Sequence, residues 1–249
     1  MKIVFFGTSC AVPTAENSST SLCIEHDNVY ILIDSVGHPL QSLFKAKVPA
    51  LSFSAVILTH FHPDHVSGFP PLLQALDLLG RKKELVIVSN DFTRDKVLKL
   101  LDLLKMQPGL LGFPLRFEDV FSSSELEISL KPGHHSIPTS MVLIKNNLSR
   151  ILYTSDTHYS RDVSEAASGC SVLIHEATCP HSKIGRFGKD GHSSSLQAGI
   201  TASESGVSTL FLCHVCTHLF SDSASITEEA KKAFNGRIIF PDVYKWYQI

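Results

Sequence analysis

No apolar stretch in this 249-residue chain approaches the roughly 20 residues that a membrane span requires. The opening run, Ile3 to Phe6, is stopped by Gly7 and Thr8, short of the about 7 to 15 residues of a secretory h-region, and reads as a first buried strand. Charge excess is also missing: 22 Lys and Arg face 24 Asp and Glu, so no global field advertises a nucleic acid or a membrane as partner. Cysteines are few and scattered (Cys10, Cys23, Cys170, Cys179, Cys213, Cys216). A chain this long, 43% hydrophobic, buries a core without disulfide staples, so reduced thiols and a cytoplasmic location are expected. Repeats, linkers and low-complexity segments are absent, and one domain over 1–249 is expected.

What is present is an alternation of short β-rich runs with helical patterns. Strands are expected at Ser21 to Glu25, Val29 to Asp34, Ala55 to Thr59, Leu85 to Ser89, Glu125 to Leu130, Met141 to Lys145, Ile151 to Ser155, Val172 to Ile174, Leu210 to Cys213 and Arg237 to Phe240. Apolar residues near a 3.6 period predict helices over Pro70 to Leu79, Thr93 to Lys105, Ser194 to Ser205 and Ser225 to Phe234, with Asp91 or Ser225 as caps. Consecutive strands in the first half and strand-helix-strand units in the second point to an α/β protein with mixed sheets.

Ligand-type side chains recur directly after apolar strands, where open α/β sheets place their sites. After Ala55-Val56-Ile57-Leu58 comes His60-x-His62-x-Asp64-His65, in which His60 and His62 can share a side while Asp64 and His65 turn toward a second position. Imidazole and carboxylate donors at this spacing suit zinc and can serve two metals. Further candidates follow other strands: His134 and His135, then Asp156, then His214. A single His or Asp at a strand end is usually a cap or a surface residue. Their joint recurrence in one setting reverses that reading. His134 competes with His135 on position alone.

These residues resemble the metallo-β-lactamase superfamily and, within it, the ribonuclease Z-like branch. Gly7-Thr8-Ser9-Cys10-Ala11-Val12-Pro13 resembles the branch's opening loop, Ile31-Leu32-Ile33-Asp34 its second landmark, and His60 to His65 the superfamily signature. His135-Ser136-Ile137-Pro138, Ser155-Asp156-Thr157 and Cys213-His214-Val215 resemble its later metal motifs. His175-Glu176-Ala177-Thr178 and Gly191-His192-Ser193-Ser194 resemble two further branch motifs. The resemblance implies a four-layer αββα sandwich of two mixed β-sheets. It implies two Zn2+ ions, or Mn2+ or another divalent metal: one on His60, His62 and His135, the other on Asp64, His65 and His214, with Asp156 between. It also implies hydrolysis of a phosphodiester by a metal-bound hydroxide, with Asp64 orienting the water and His192, supported by Glu176, as general acid.

Departures matter as much. Residues 136 to 155 alone separate the third and fourth metal motifs, enough for a hairpin but not for the branch's tRNA-gripping arm. Asp34-Ser35-Val36-Gly37-His38-Pro39 and Cys216-Thr217-His218 replace two family stretches. The densest basic group, Arg81-Lys82-Lys83, reads as a solvated helix-strand turn rather than a phosphate grip. The expected substrate is therefore a small or single-stranded phosphodiester, with tRNA 3′-end processing and lactone or thioester hydrolysis as alternatives, and a homodimer implied only by resemblance.

Overall fold

The computed structural model describes residues 1–249. Strands β1 (Lys2–Ser9), β2 (Ser18–Ser19), β3 (Ser21–His26), β4 (Val29–Ile33), β5 (Ala55–Ile57), β6 (Leu85–Val88) and β7 (Leu115–Glu118) join the C-terminal β15 (Trp246–Gln248) in one sheet. The other sheet holds β8 (Val120–Ser122), β9 (Glu127–Pro132), β10 (Ser140–Lys145), β11 (Arg150–Tyr153), β12 (Val172–Glu176), β13 (Thr209–Cys213) and β14 (Arg237–Ile239). Helices α1 (Pro39–Lys45), α2 (Pro63–Val66), α3 (Phe69–Leu78), α4 (Asp91–Leu103), α5 (Arg161–Ala167), α6 (Ile184–Phe187), α7 (Ser195–Ser205) and α8 (Ser223–Lys231) complete the chain. None is long and apolar enough to cross a membrane.

Apart from the two-residue β2, which pairs parallel with β1, each sheet is antiparallel where consecutive strands follow one another and parallel where helices intervene. In the first, β1, β3 and β4 pair antiparallel while β4, β5, β6 and β7 run parallel. In the second, β8 to β11 are antiparallel and β11 to β14 parallel. Strand alternation then sorts the core. Ile3, Phe5, Ile31 and Ile57 from one sheet meet Val142, Tyr153, Ile174 and Phe211 from the other. The opposite faces pack Val4, Leu32 and Val56 against Phe69, Leu73 and Val97, and Leu152, Leu173 and Leu210 against Val163, Ala198 and Ile226. Three apolar interfaces between four layers give the αββα sandwich.

Several local expectations need adjustment. The cap of α4 is Asn90, whose side chain accepts from the Thr93 N–H, and that of α8 is Asp222, not Asp91 and Ser225. Residues α1, α5, β7, β8 and β15 cover were not assigned, being short elements stabilised by tertiary pairing. Arg81 is not a solvated turn residue but 1% exposed. Its guanidinium donates to the carbonyls of Leu51, Phe53, Lys83 and Glu84 and stacks on Phe53, tying the helix-strand corner shut. The cysteines also differ from expectation, because Cys10 and Cys216 form a disulfide. The cause is chain geometry: Val215 N–H donates to Thr8 O at 2.9 Å and Cys10 N–H to Val215 O at 3.2 Å, which sets the end of β1 beside the loop after β13. Cys213 stays a buried thiol facing the core.

Candidate metal centre

The parallel strands all end at one mouth, and the chain turns sharply there. Asp34 after β4, Ser155 after β11 and His214 after β13 take left-handed backbones, with φ of 56°, 52° and 54°. Such φ values are uncommon outside glycine and persist only where surroundings over-determine them. Asp34 shows how. Its carboxylate accepts from Thr59 N–H at 2.9 Å, Thr59 Oγ1–H at 3.0 Å and His65 Nδ1–H at 2.7 Å. The sequence marked Asp34 only as a landmark; its work here is to orient two neighbours.

A hydrogen-bond network sets each imidazole so that one nitrogen faces the cleft. Thr59 Oγ1 has spent its proton on Asp34, so it accepts from His60 Nδ1–H at 3.0 Å. Thr178 Oγ1 has spent its proton on Glu176 and accepts from His214 Nδ1–H at 3.0 Å. His135 Nδ1–H donates to Gly191 O at 3.0 Å. Gly191, at φ 87°, has no room for a side chain, since a Cβ would stand 2.7 Å from His135 Cα. The Nε2 atoms of His60, His65, His135 and His214 are thereby turned into the cleft, where they converge.

Their spacing defines the site. His60, His62 and His135 form one donor group, Asp64, His65 and His214 another, and each set of ligand atoms lies within 4.8 Å. Asp156 Oδ2 stands between them, 3.7 Å from His60 Nε2, 3.4 Å from His65 Nε2 and 3.2 Å from His214 Nε2. His135 Nε2 and His62 Nδ1 face each other at 3.1 Å. Buried His60 Nε2, His65 Nε2 and Asp156 Oδ1 have no hydrogen-bond partner. Orphaned buried atoms cost about 1–3 kcal/mol each, and converging lone pairs repel, so this donor set fits divalent cations. Burial pushes the His60, His62 and His135 pKa values down, favouring the neutral ligand form. For Asp156 burial acts the other way, but the surrounding imidazoles, His214 first, hold it well below the usual carboxylate range.

Beside this cluster lies a carboxylate-imidazole pair. Glu176, fully buried, accepts from Thr157 N–H at 2.9 Å, from Thr178 Oγ1–H at 2.6 Å and from His192 Nδ1–H at 2.9 Å. Burial works against the His192 imidazolium, yet the Glu176 charge outweighs it and raises the pKa to about 9. The His192 ring stacks on His214 at 5.3 Å. The remaining wall of the cleft, about 250 Å³, includes Ala11, Val12, Arg186 and Phe187. Sequence reasoning gave Arg186 no role, because an exposed cation in the one-turn helix α6 carries no pattern.

The other histidines separate from the cluster. His134 turns outward to Asp162 at 3.0 Å, which resolves its competition with His135. His181 Nδ1 meets Ser194 Oγ at 2.9 Å, and His158 stacks near His134 at 5.2 Å. Phe61 packs on the helical layer and Pro63 starts α2, so both shape the ligand loop. Residues 136 to 155 form a short loop and the β10–β11 hairpin, with no inserted arm.

Two facing mixed sheets with a convergent His and Asp cluster at one mouth define an αββα protein built around a metal centre. The chain belongs to the metallo-beta-lactamase superfamily, whose family model matches residues 15–214. Among curated relatives, a ribonuclease Z from Haloarcula marismortui is 25% identical over 97% of this chain and 94% of its own, and one from Methanosarcina mazei is 22% identical over 98% and 96%. Among solved structures, the metallo-beta-lactamase fold protein YhfI from Bacillus subtilis superposes with a TM-score of 0.86 at 23% identity, covering 99% and 98% of the two chains. Human tRNase Z, short form, gives 0.79 at 18% identity, covering 100% and 99%.

Proposed function

We propose that this protein is a dinuclear zinc-dependent phosphodiesterase of the ribonuclease Z-like branch. The observation that carries the reading is the buried Glu176–His192 pair, 2.9 Å apart, set beside two donor groups that share Asp156. His60, His62 and His135 would hold one ion, Asp64, His65 and His214 the other, and Asp156 both. When bound, such ions neutralise phosphoryl charge and supply an ionised water at neutral pH.

The side chains do the rest. Asp64, whose Oδ2 lies 3.4 Å from His214 Nε2, also lines the cleft and orients the attacking water. His192 holds its Nδ1–H on Glu176, so its Nε2–H is the proton available to a leaving alkoxide. Glu176 accepts four donors in all and has no spare basicity, which makes it a positioning residue that keeps His192 cationic. Burial of the pair limits water competing for that proton. A thioester hydrolase of this fold expels a thiolate and needs no such donor, so the pair favours an alkoxide leaving group, which a phosphodiester supplies.

The small cleft and the absent arm favour a small or single-stranded substrate over folded tRNA. The names of the ribonuclease Z relatives support an RNA-type diester. The zinc-loaded enzyme is assayed on a dinucleotide, a cyclic nucleotide, bis(p-nitrophenyl) phosphate, a lactone and a precursor tRNA. Turnover of the dinucleotide, lost in His192→Ala with zinc retained, supports the reading. Activity on the lactone alone sinks it, and preferential tRNA cleavage moves the substrate to the alternative.

A further inference from the structure

A second cavity, of about 570 Å³, opens on the outer face of the first sheet. It sits at the start of β1 and the metal mouth at its end. A strand rises about 3.3 Å per residue, so the two are roughly 20 Å apart. Its walls are unusually concentrated in type. They include Tyr30, Tyr244 and Trp246, which are two of the five tyrosines and the only tryptophan of the chain. Lys2, Lys45 and Lys47 line the same space.

The aromatic walls are fixed. Trp246 Nε1–H donates to Ala46 O at 3.1 Å, and Tyr244 stacks on buried Phe6 with ring centres 6.4 Å apart. The lysines are only partly used. Lys2 pairs with Glu25 at 3.3 Å, while Lys45 lies over the Tyr244 ring at 5.1 Å and neither it nor Lys47 meets a carboxylate. Lys47 and Tyr244 both have left-handed backbones, at φ 57° and 63°. Bulky residues in that region cost free energy that something else repays. Neither position serves the metal centre.

Rigid aromatic planes between unpaired ammonium groups are what stacks a nucleobase and neutralises its phosphate. The volume falls within the range of small-ligand pockets. We propose that this cavity binds a nucleotide unit, its base against Trp246 and Tyr244 and its phosphate on Lys45 and Lys47. This second site is independent of the hydrolytic reading, and it would serve as an anchor remote from the cleft. The shared chemistry covers both a free nucleotide and one nucleotide of a single strand.

Because Trp246 is the sole tryptophan, its fluorescence reads this cavity directly. The zinc-loaded His192→Ala protein, slowed in cleaving diesters with alkoxide leaving groups, is titrated with AMP, adenosine, inorganic phosphate and pentaadenylate. Saturable quenching by AMP is expected, with adenosine and phosphate each at least about tenfold weaker. A Lys45→Gln, Lys47→Gln double variant is expected to weaken AMP about tenfold, with salt producing a parallel loss in the parent. Its melting temperature and its bis(p-nitrophenyl) phosphate turnover, measured with His192 intact, are expected to be unchanged. Tighter binding of pentaadenylate identifies a strand, and equal binding a free nucleotide. No saturable quenching at millimolar AMP, or equal affinity in parent and double variant, overturns the proposal.

Discussion

Replacing His192 by Ala removes one proton donor and leaves His60, His62, Asp64, His65, His135, Asp156 and His214 in place. Its side chain is 16% exposed and its closest hydrogen-bond partner is Glu176, with the ring packed on His214 and His135, so truncation opens space at the cleft edge without unpacking the core. General acid catalysis contributes about 10²- to 10⁴-fold, equivalent to about 2.7 to 5.5 kcal/mol of barrier. The loss depends on the leaving group. A ribose alkoxide needs the proton, so dinucleotide kcat is expected to fall by about 10²- to 10⁴-fold. p-Nitrophenoxide leaves without help, so bis(p-nitrophenyl) phosphate turnover is expected to fall less than about tenfold. The assay compares both substrates on parent and variant at matched zinc content, read by mass spectrometry. An equal loss on both, or none on the dinucleotide, would refute the assignment of His192 as acid.

Other perturbations probe the supports. Asp34→Ala frees Thr59 and His65, and zinc affinity is expected to drop about 10- to 100-fold in competition with a chelator. Gly191→Ala places a methyl group against His135 at a left-handed backbone, so zinc loading and thermal stability are both expected to fall. Arg81→Met strips four carbonyls of their donor; urea unfolding is expected to show a loss of about 3 kcal/mol or more, and Arg81→Lys is not expected to restore it, having no planar fork. In metal-free protein the His192 pKa is raised from 6.5 to about 9, so its stabilisation is full below about pH 6.5 and is lost as pH rises through about 9. Denaturation of the metal-free parent across that window should lose stability that the His192→Ala variant never had; identical pH profiles would remove the pairing as cause.

Much of this was legible because the chemistry follows strand ends. His60, His62, Asp64, His65, Asp156 and His214 each follow an apolar run that is a strand in the fold, and the alternation of those runs pointed to mixed sheets, while their division into two facing sheets was implied only by the family resemblance. Choosing His135 over His134 needed the neighbouring Ser-Ile-Pro, and the cause appears only in three dimensions, where Gly191 O holds His135 and Asp162 draws His134 away. Arg81 was misread because a charged triplet in sequence carries no sign that four carbonyls converge on one member. The Cys10 to Cys216 bridge escaped for a related reason: nothing local links residues separated by 206 positions. Left-handed Asp34, Ser155 and His214 were likewise invisible, since tertiary contacts, not propensity, hold them there.

Anomalous diffraction at the zinc edge, from crystals of the zinc-loaded protein, tests the central claim most directly. Two peaks are expected, one among His60, His62 and His135 and one among Asp64, His65 and His214, with the Asp156 carboxylate touching both. A single peak, none, or peaks away from Asp156 would contradict a dinuclear centre and the hydrolysis built on it.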